Sequence, residues 1–245
     1  MKAYYTNQIQ IDTSMCDASG KLGLWNAFTL FQDAASRHAE DLGVGFEAMG
    51  ERKSFWVTVR TRVHFYNRPG IMQKVEVSTW PATPGNTRCD RSYRISRNGE
   101  TLVEGRTEWC VVDTEKGSTK PISEAGFPED IEYLDELALA APYTRFKYNF
   151  TDEDCALKYT VQTTDIDVGH HMNNVAYLRA LLNSFTVKEL ENMNVSEMEI
   201  MFCMPCFEGN QLDILRRKTD YGYEFGVRRP DGRYAALAQM KAEAK

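Results

Sequence analysis

Residues 17–22, Asp-Ala-Ser-Gly-Lys-Leu, and residues 167–172, Asp-Val-Gly-His-His-Met, each stand at the same offset before an apolar helical stripe. After the first come Leu24, Ala27, Phe28, Phe31, Ala34, Ala35, His38 and Leu42, spaced three and four apart and apolar except for His38. Gly43 and Gly45 end this predicted helix. After the second come Val175, Leu178, Leu181, Leu182 and Phe185. In this register Leu22 answers Met172, and Phe28 answers Leu178.

Each helix is followed by strand-like segments. In residues 55–65, Val57, Val59, Thr61, Val63 and Phe65 alternate with Thr58, Arg60, Arg62 and His64, the period of a strand. Residues 74–80, 88–96 and 102–112 follow, with Asn98-Gly99 as a hairpin signal. The second half offers residues 198–206, 212–219, 221–228 and 234–244, with a turn at Pro230–Arg233. Strand, helix and four antiparallel strands therefore occur twice, an internal repeat. An apolar sheet face needs a cover, so the expected class is α+β: a long helix wrapped by a curved antiparallel sheet, in two tandem units. The expected units are residues 1–128 and 143–245. Residues 129–142 form the linker, where Glu129, Asp130, Glu132, Asp135 and Glu136 cluster ahead of Pro142.

The chain has 245 residues and is 42% hydrophobic, enough to bury a core in each unit. Acids outnumber bases 35 to 29, so no basic excess points to nucleic acid. No apolar run reaches the length of a membrane span. The N-terminus has neither an apolar signal core nor transit-peptide character, so a cytoplasmic protein is expected. The six cysteines are then read as reduced thiols.

Chemistry near neutral pH has four histidines to draw on: His38, His64, His170 and His171. Two of them fall in residues 164–177, Thr-Asp-Ile-Asp-Val-Gly-His-His-Met-Asn-Asn-Val-Ala-Tyr, at the entry to the second helix. Asn173 or Asn174 is the expected N-cap. Free N–H groups at a helix start suit a carbonyl oxygen that gains negative charge. A carboxylate beside a histidine fixes its tautomer and raises its basicity. The alternative is a polar loop needed only for its shape. Against that, the first copy carries Ser19, Gly20 and Lys21 where the second has Gly169, His170 and His171.

Residues 165–177 are similar to the D-x-D-x-N-x-H-V-N-N-x-x-Y signature of acyl-[acyl-carrier-protein] thioesterases. Leu30–Ala35 with His38, Trp56 with Arg60, Ser78–Pro81, Arg91 with Tyr93, and Glu108-Trp109 with Asp113 also resemble that family. The resemblance implies a double hotdog fold that hydrolyses fatty acyl thioesters of acyl carrier protein, a step that ends fatty acid synthesis. It calls for no cofactor and no metal. It implies Asp167 and His171 as catalytic residues, with Cys206 on the family's cysteine. The family's asparagine falls on Gly169 and its glutamate on Pro205, so both side chains are lost. His170, Asn173 or Glu208 are candidates to replace them. Gly169, His170, Asn173 and Asn174 are the candidates to hold substrate or the thioester oxygen. Trp56, Phe28 and Phe31 are candidates to line an acyl pocket, against the alternative of plain core. The N-terminal unit would bind the acyl chain and the C-terminal unit would carry the chemistry. An acyl-CoA thioesterase and a non-catalytic acyl-binding protein are the alternatives on the same fold. Oligomeric state stays open, with a homodimer allowed.

Three other features stand apart. Cys203-Met-Pro-Cys206 has metal or redox spacing, but residues three apart on a strand diverge. His38 reads as a core or rim residue and His64 as solvated. Arg60, Arg62, Arg88, Arg91 and Arg94 form a basic run, either a solvated sheet face or a contact for an acidic carrier.

Overall fold

The computed structural model describes residues 3–134 and 136–245, so Asp135 of the expected linker lies outside the described residues. The chain divides into two compact units, Met1–Ala141 and Pro142–Lys245.

In the first unit, strand β1 (Tyr5–Gln10) precedes helix α1 (Leu24–Asp41) and a short helix α2 (Phe46–Glu51). Then come β2 (Ser54–Phe65), β3 (Lys74–Pro81), β4 (Cys89–Arg97), β5 (Glu100–Asp113) and a two-residue β6 (Thr119–Lys120) on the edge of β5. The antiparallel order is β1-β3-β4-β5-β2. The apolar stripe of α1 is buried as its spacing predicts, His38 included. Gly43 ends the helix in the left-handed conformation (φ 68°), as a C-terminal glycine does. Asn98 and Gly99 both have positive φ, the geometry that lets two residues join twisted strands.

One assignment of strand faces is corrected. A bulge between Thr58 and Arg60 shifts the register of β2 on β5. Trp56 and Thr58 lie opposite Val111 and Trp109, and Thr61 and Val63 lie opposite Thr107 and Gly105. Cross-strand partners share a face, so the inward positions switch from even to odd numbers at the bulge. The basic run is not a solvated face either. Arg62 and Arg91 are buried, at 7% and 6% exposure. Arg60 and Arg88 pair with Glu108, and Arg94 with Glu104 and Glu136.

Residues 129–141 group with the first unit through backbone contacts. Ala3 N–H donates to the Glu132 carbonyl, the Trp80 indole to that of Glu136, and Arg62 to that of Ala141.

The second unit repeats this plan. Its strands are β7 (Cys155–Thr160), β8 (Met193–Phe202), β9 (Gln211–Thr219), β10 (Gly222–Arg228) and β11 (Tyr234–Ala244). Their order, β7-β9-β10-β11-β8, matches the first unit strand for strand. Its helix is shorter than expected: α3 (Asn174–Leu182) has nine residues against eighteen in α1. Thr186 and Glu189 form a reciprocal capping box that starts a separate helix, α4 (Val187–Glu191). Residues 146–150 are not strand; Phe146, Tyr148 and Phe150 pack edge to face beside Leu215 and Leu237. β8 ends at Phe202, so Cys206 lies in the following loop and not on a strand as expected.

In the first unit, helix meets sheet where the Phe31 ring stacks on Tyr93 (centroids 4.8 Å apart) above Gly105. A Cβ on Gly105 would sit 2.4 Å from that ring. Gly105→Ala is expected to lower stability by about 1–3 kcal/mol through overpacking, read as a shifted midpoint in denaturant unfolding.

Candidate active site

The signature loop is a compact hairpin. Asp167 N–H donates to the His171 carbonyl (3.0 Å), and His170 N–H donates back to the Asp167 carbonyl (3.0 Å). Ile166 and Met172 pair across its base. The first copy builds the same hairpin: Asp17 N–H to Lys21 O (2.9 Å), Gly20 N–H to Asp17 O (3.0 Å), and Cys16 paired with Leu22. A turn of 3₁₀-helix precedes each, Thr13–Met15 and Thr163–Asp165. The hairpin closes through a left-handed residue, Gly20 at φ 71° and His170 at φ 58°. Glycine takes that conformation freely and a histidine does so at a cost. The shape is therefore common to both copies, and the side chains at residues 169–171 are not required for it.

Asp165, which the sequence did not single out, anchors the loop. Its buried carboxylate accepts from the Tyr159 hydroxyl (2.7 Å), Gln162 N–H (2.9 Å) and Arg179 (3.3 Å). The signal was its place in the signature, ahead of the carboxylate that does face a histidine.

Asp167 is held in turn. Its Oδ1 accepts from Gly169 N–H (2.8 Å) and its Oδ2 from the Asn173 side-chain amide (3.4 Å). Oδ1 lies 3.6 Å from Nδ1 of the half-buried His171. That is longer than a hydrogen bond and short enough for charge to be felt. A Cβ on Gly169 would come within 2.9 Å of His171 Nε2 and 3.1 Å of Asp167 Oδ1. The imidazole therefore leans into the space a side chain at Gly169 would need.

Asn173, not Asn174, caps α3: its Oδ1 accepts from Val175 N–H (2.8 Å). One side chain thus fixes both the helix start and the aspartate. Among the described residues, the N–H of Asn174, the first residue of α3, has no protein acceptor. His170 is exposed and points to no described partner. Glu208 is bonded by the Thr163 hydroxyl, which leaves His171 without its carboxylate.

Cys206 is close in the backbone and distant in character. Its carbonyl accepts from Met172 N–H (2.8 Å), and its N–H donates to the Tyr177 hydroxyl (3.0 Å). The residue is fully buried. Burial pushes its thiol above the ordinary value of 9.0, outweighing a hydrogen bond with Tyr177 that lowers it. No hydrogen bond joins it to His171 among the described residues. Cys203 is exposed, so the two thiols of the C-x-x-C spacing occupy different environments.

The acyl-pocket candidates separate. Phe28 and Phe31 lie on the buried face of α1. Trp56 donates to the Val44 carbonyl (2.9 Å) and packs on a second cluster of Met49, Cys89, Val111, Ile122 and Ala125. No helix is long and apolar enough to cross a membrane among the described residues.

Two helix-on-sheet units of one topology define a double hotdog of the α+β class. A family model for the acyl-ACP thioesterase N-terminal domain matches residues 2–126, and one for the acyl-ACP thioesterase C-terminal domain matches residues 148–239. The chain belongs to the acyl-ACP thioesterase family. The chloroplastic palmitoyl-acyl carrier protein thioesterase of Gossypium hirsutum is 26% identical over 208 residues, 80% of this chain and 50% of that protein. An acyl-ACP thioesterase structure from Bacteroides thetaiotaomicron matches with a TM-score of 0.84 at 17% identity, over 98% of both chains. The 12:0-ACP thioesterase from Umbellularia californica matches with a TM-score of 0.85 at 18% identity, over 99% of this chain and 98% of that one. The chain spans about half the length of the curated relatives it matches.

Gly169→Ala tests the packing of the imidazole. The added methyl displaces the ring, and kcat is expected to fall about tenfold or more, since small misplacements are costly in a positioned site. The melting temperature should barely move, because the loop is at the surface and Gly169 does not need positive φ.

Proposed function

We infer that this chain hydrolyses fatty acyl thioesters of acyl carrier protein and releases the free fatty acid. The observation that carries this reading is the Asp167–His171 pair, held at the start of α3 by Asn173. Its family membership supports the substrate class. The second unit supplies the chemistry, and the first supplies the face that recognises the acyl chain.

In this mechanism His171 is the general base. Asp167 orients it through Nδ1 and stabilises the imidazolium that forms. A contact of 3.6 Å in the free protein is expected to tighten once substrate is bound. Nε2 takes a proton from a water molecule, whose oxygen attacks the thioester carbonyl. The oxyanion meets the start of α3, where the Asn174 N–H has no protein acceptor among the described residues. The tetrahedral intermediate expels the thiolate, which takes the proton back from His171. Atoms balance without a covalent intermediate. Cys206, buried and with its thiol pushed up, serves as packing beneath the loop rather than as nucleophile.

Two sets of variants test this. His171→Ala is expected to lower kcat on acyl-carrier substrates by about a hundredfold or more, the usual worth of a general base; undiminished turnover would remove His171 from the mechanism. Cys206→Ala is expected to keep kcat within about threefold while lowering stability by about 1–3 kcal/mol, as loss of a buried side chain does. Tight acyl binding with no hydrolysis by the wild type would instead favour a non-catalytic acyl-binding protein.

A further inference from the structure

The sheet of the second unit gathers cations at one edge. Lys158 of β7 and Arg228 of β10 both lie opposite Asp213 of β9, so the three side chains share one face. Asp213 serves both neighbours. Its Oδ1 accepts from Lys158 (2.5 Å), and its Oδ2 accepts from Nε and Nη2 of Arg228 (3.2 and 2.7 Å). Arg228 also donates to the exposed Asp152 (2.6 Å). Two residues along, Thr160 and Gln211 pair on the same face. These side chains, with Arg229 just past the end of β10, line a pocket of about 430 Å³.

Arg229 is the unusual member. It opens the turn between β10 and β11, where its backbone N–H donates to the Arg233 carbonyl (2.9 Å). Its Nη1 donates to the Pro205 carbonyl (2.8 Å). Its Nη2 lies 3.6 Å from Asp231, beyond hydrogen-bond range, and that carboxylate already accepts two hydrogen bonds from Arg233 (3.0 and 2.7 Å). Nε is buried and has no hydrogen-bond partner among the described residues. A guanidinium carries five donors and keeps its charge at any ordinary pH, so a largely enclosed one with donors unmet is costly until an anion meets it. The pocket as a whole sets three cations, Lys158, Arg228 and Arg229, against one carboxylate, Asp213, in a chain whose net charge is −6. A local excess of that sign attracts an anion.

We propose that this pocket binds a phosphate group, with Arg229 and Lys158 as its principal contacts. The chemistry selects the ligand. Arg228 is committed to two carboxylates, whereas the Lys158 side chain is 79% exposed and free to swing from Asp213 to a ligand. A phosphate carries up to about two negative charges and accepts from several directions, so it meets both cations and the Thr160 hydroxyl or Gln211 amide together. A carboxylate has one charge and two oxygens, which one guanidinium satisfies. The pocket is also tied to the signature loop. Pro205, held by Arg229, precedes Cys206, whose carbonyl accepts from Met172 N–H (2.8 Å). Tyr159, on the pocket wall, donates to Asp165 (2.7 Å). The site stands on the geometry of the second unit and does not require that the chain hydrolyse anything.

The test is calorimetric titration of inorganic phosphate into the whole chain, at mildly alkaline pH and an ionic strength held constant with chloride. One saturable site is expected, with a Kd of about 1 mM or tighter, and acetate should bind at least about tenfold more weakly. Lys158→Gln and Arg229→Gln should each weaken phosphate binding by about tenfold or more, the worth of one charge-assisted contact. No saturable heat, acetate bound as tightly as phosphate, or phosphate affinity unchanged in both variants would each overturn the proposal. If Arg229→Gln does not fold, Lys158→Gln decides, because its side chain is exposed and bears on no core. Steady-state hydrolysis of an acyl-carrier thioester then separates two sources of the same group. Inorganic phosphate that raises KM and leaves kcat alone upholds the site as one for the phosphate joining a carrier's prosthetic arm to its protein. Phosphate that leaves KM unchanged upholds it as a site for a free phosphate ligand.

Discussion

The Asp167 N–H to His171 carbonyl hydrogen bond is the constraint on which the site depends. It folds five residues into a hairpin, so that the side chains of its first and last members face each other. Asn173 then couples that hairpin to the start of α3 through one side chain that bonds Val175 N–H and Asp167 together. His171, Asp167 and the amides at the helix start are therefore positioned as a single piece. The first unit builds the same frame with other side chains. There Asp17 is claimed by Arg68, Lys21 replaces the histidine, and Gly23 stands where Asn173 caps.

The two copies also divide their polar burial differently. In the second unit Asp165, one of several buried carboxylates, is bonded by three groups and serves the loop. In the first, buried Arg91 bonds His38 and Thr79 and ties α1 to the sheet. A satisfied buried ion rigidifies its surroundings, whereas an unsatisfied one is held at a cost in stability.

Much of this was legible in sequence because periodicity carries it. The stripe of α1, the strands of both copies, the Asn98-Gly99 turn and the repeat itself all follow from residue spacing. The signature residues Asp167 and His171 do face each other. What was not legible came from interactions that local pattern does not encode. The bulge at Val59 turned the apparent alternation of β2 inside out halfway along. The second helix stops at Leu182, a capping box at Thr186–Glu189 starts another, and a strand ending at Phe202 left Cys206 in a loop. Arg91 and Arg62 looked like surface charges because nothing in one strand shows what lies across it. Cys206 is buried and bonded to Tyr177 and Met172, residues far away in sequence.

The central claim is that His171 activates water while Cys206 stays a bystander. Its most direct test is the intact mass of the protein, acid-quenched during turnover of an acyl-carrier thioester across the time of the first turnovers. A direct attack by water predicts unmodified protein at every time point. A transient species heavier by one acyl group, mapped to Cys206, would contradict the account.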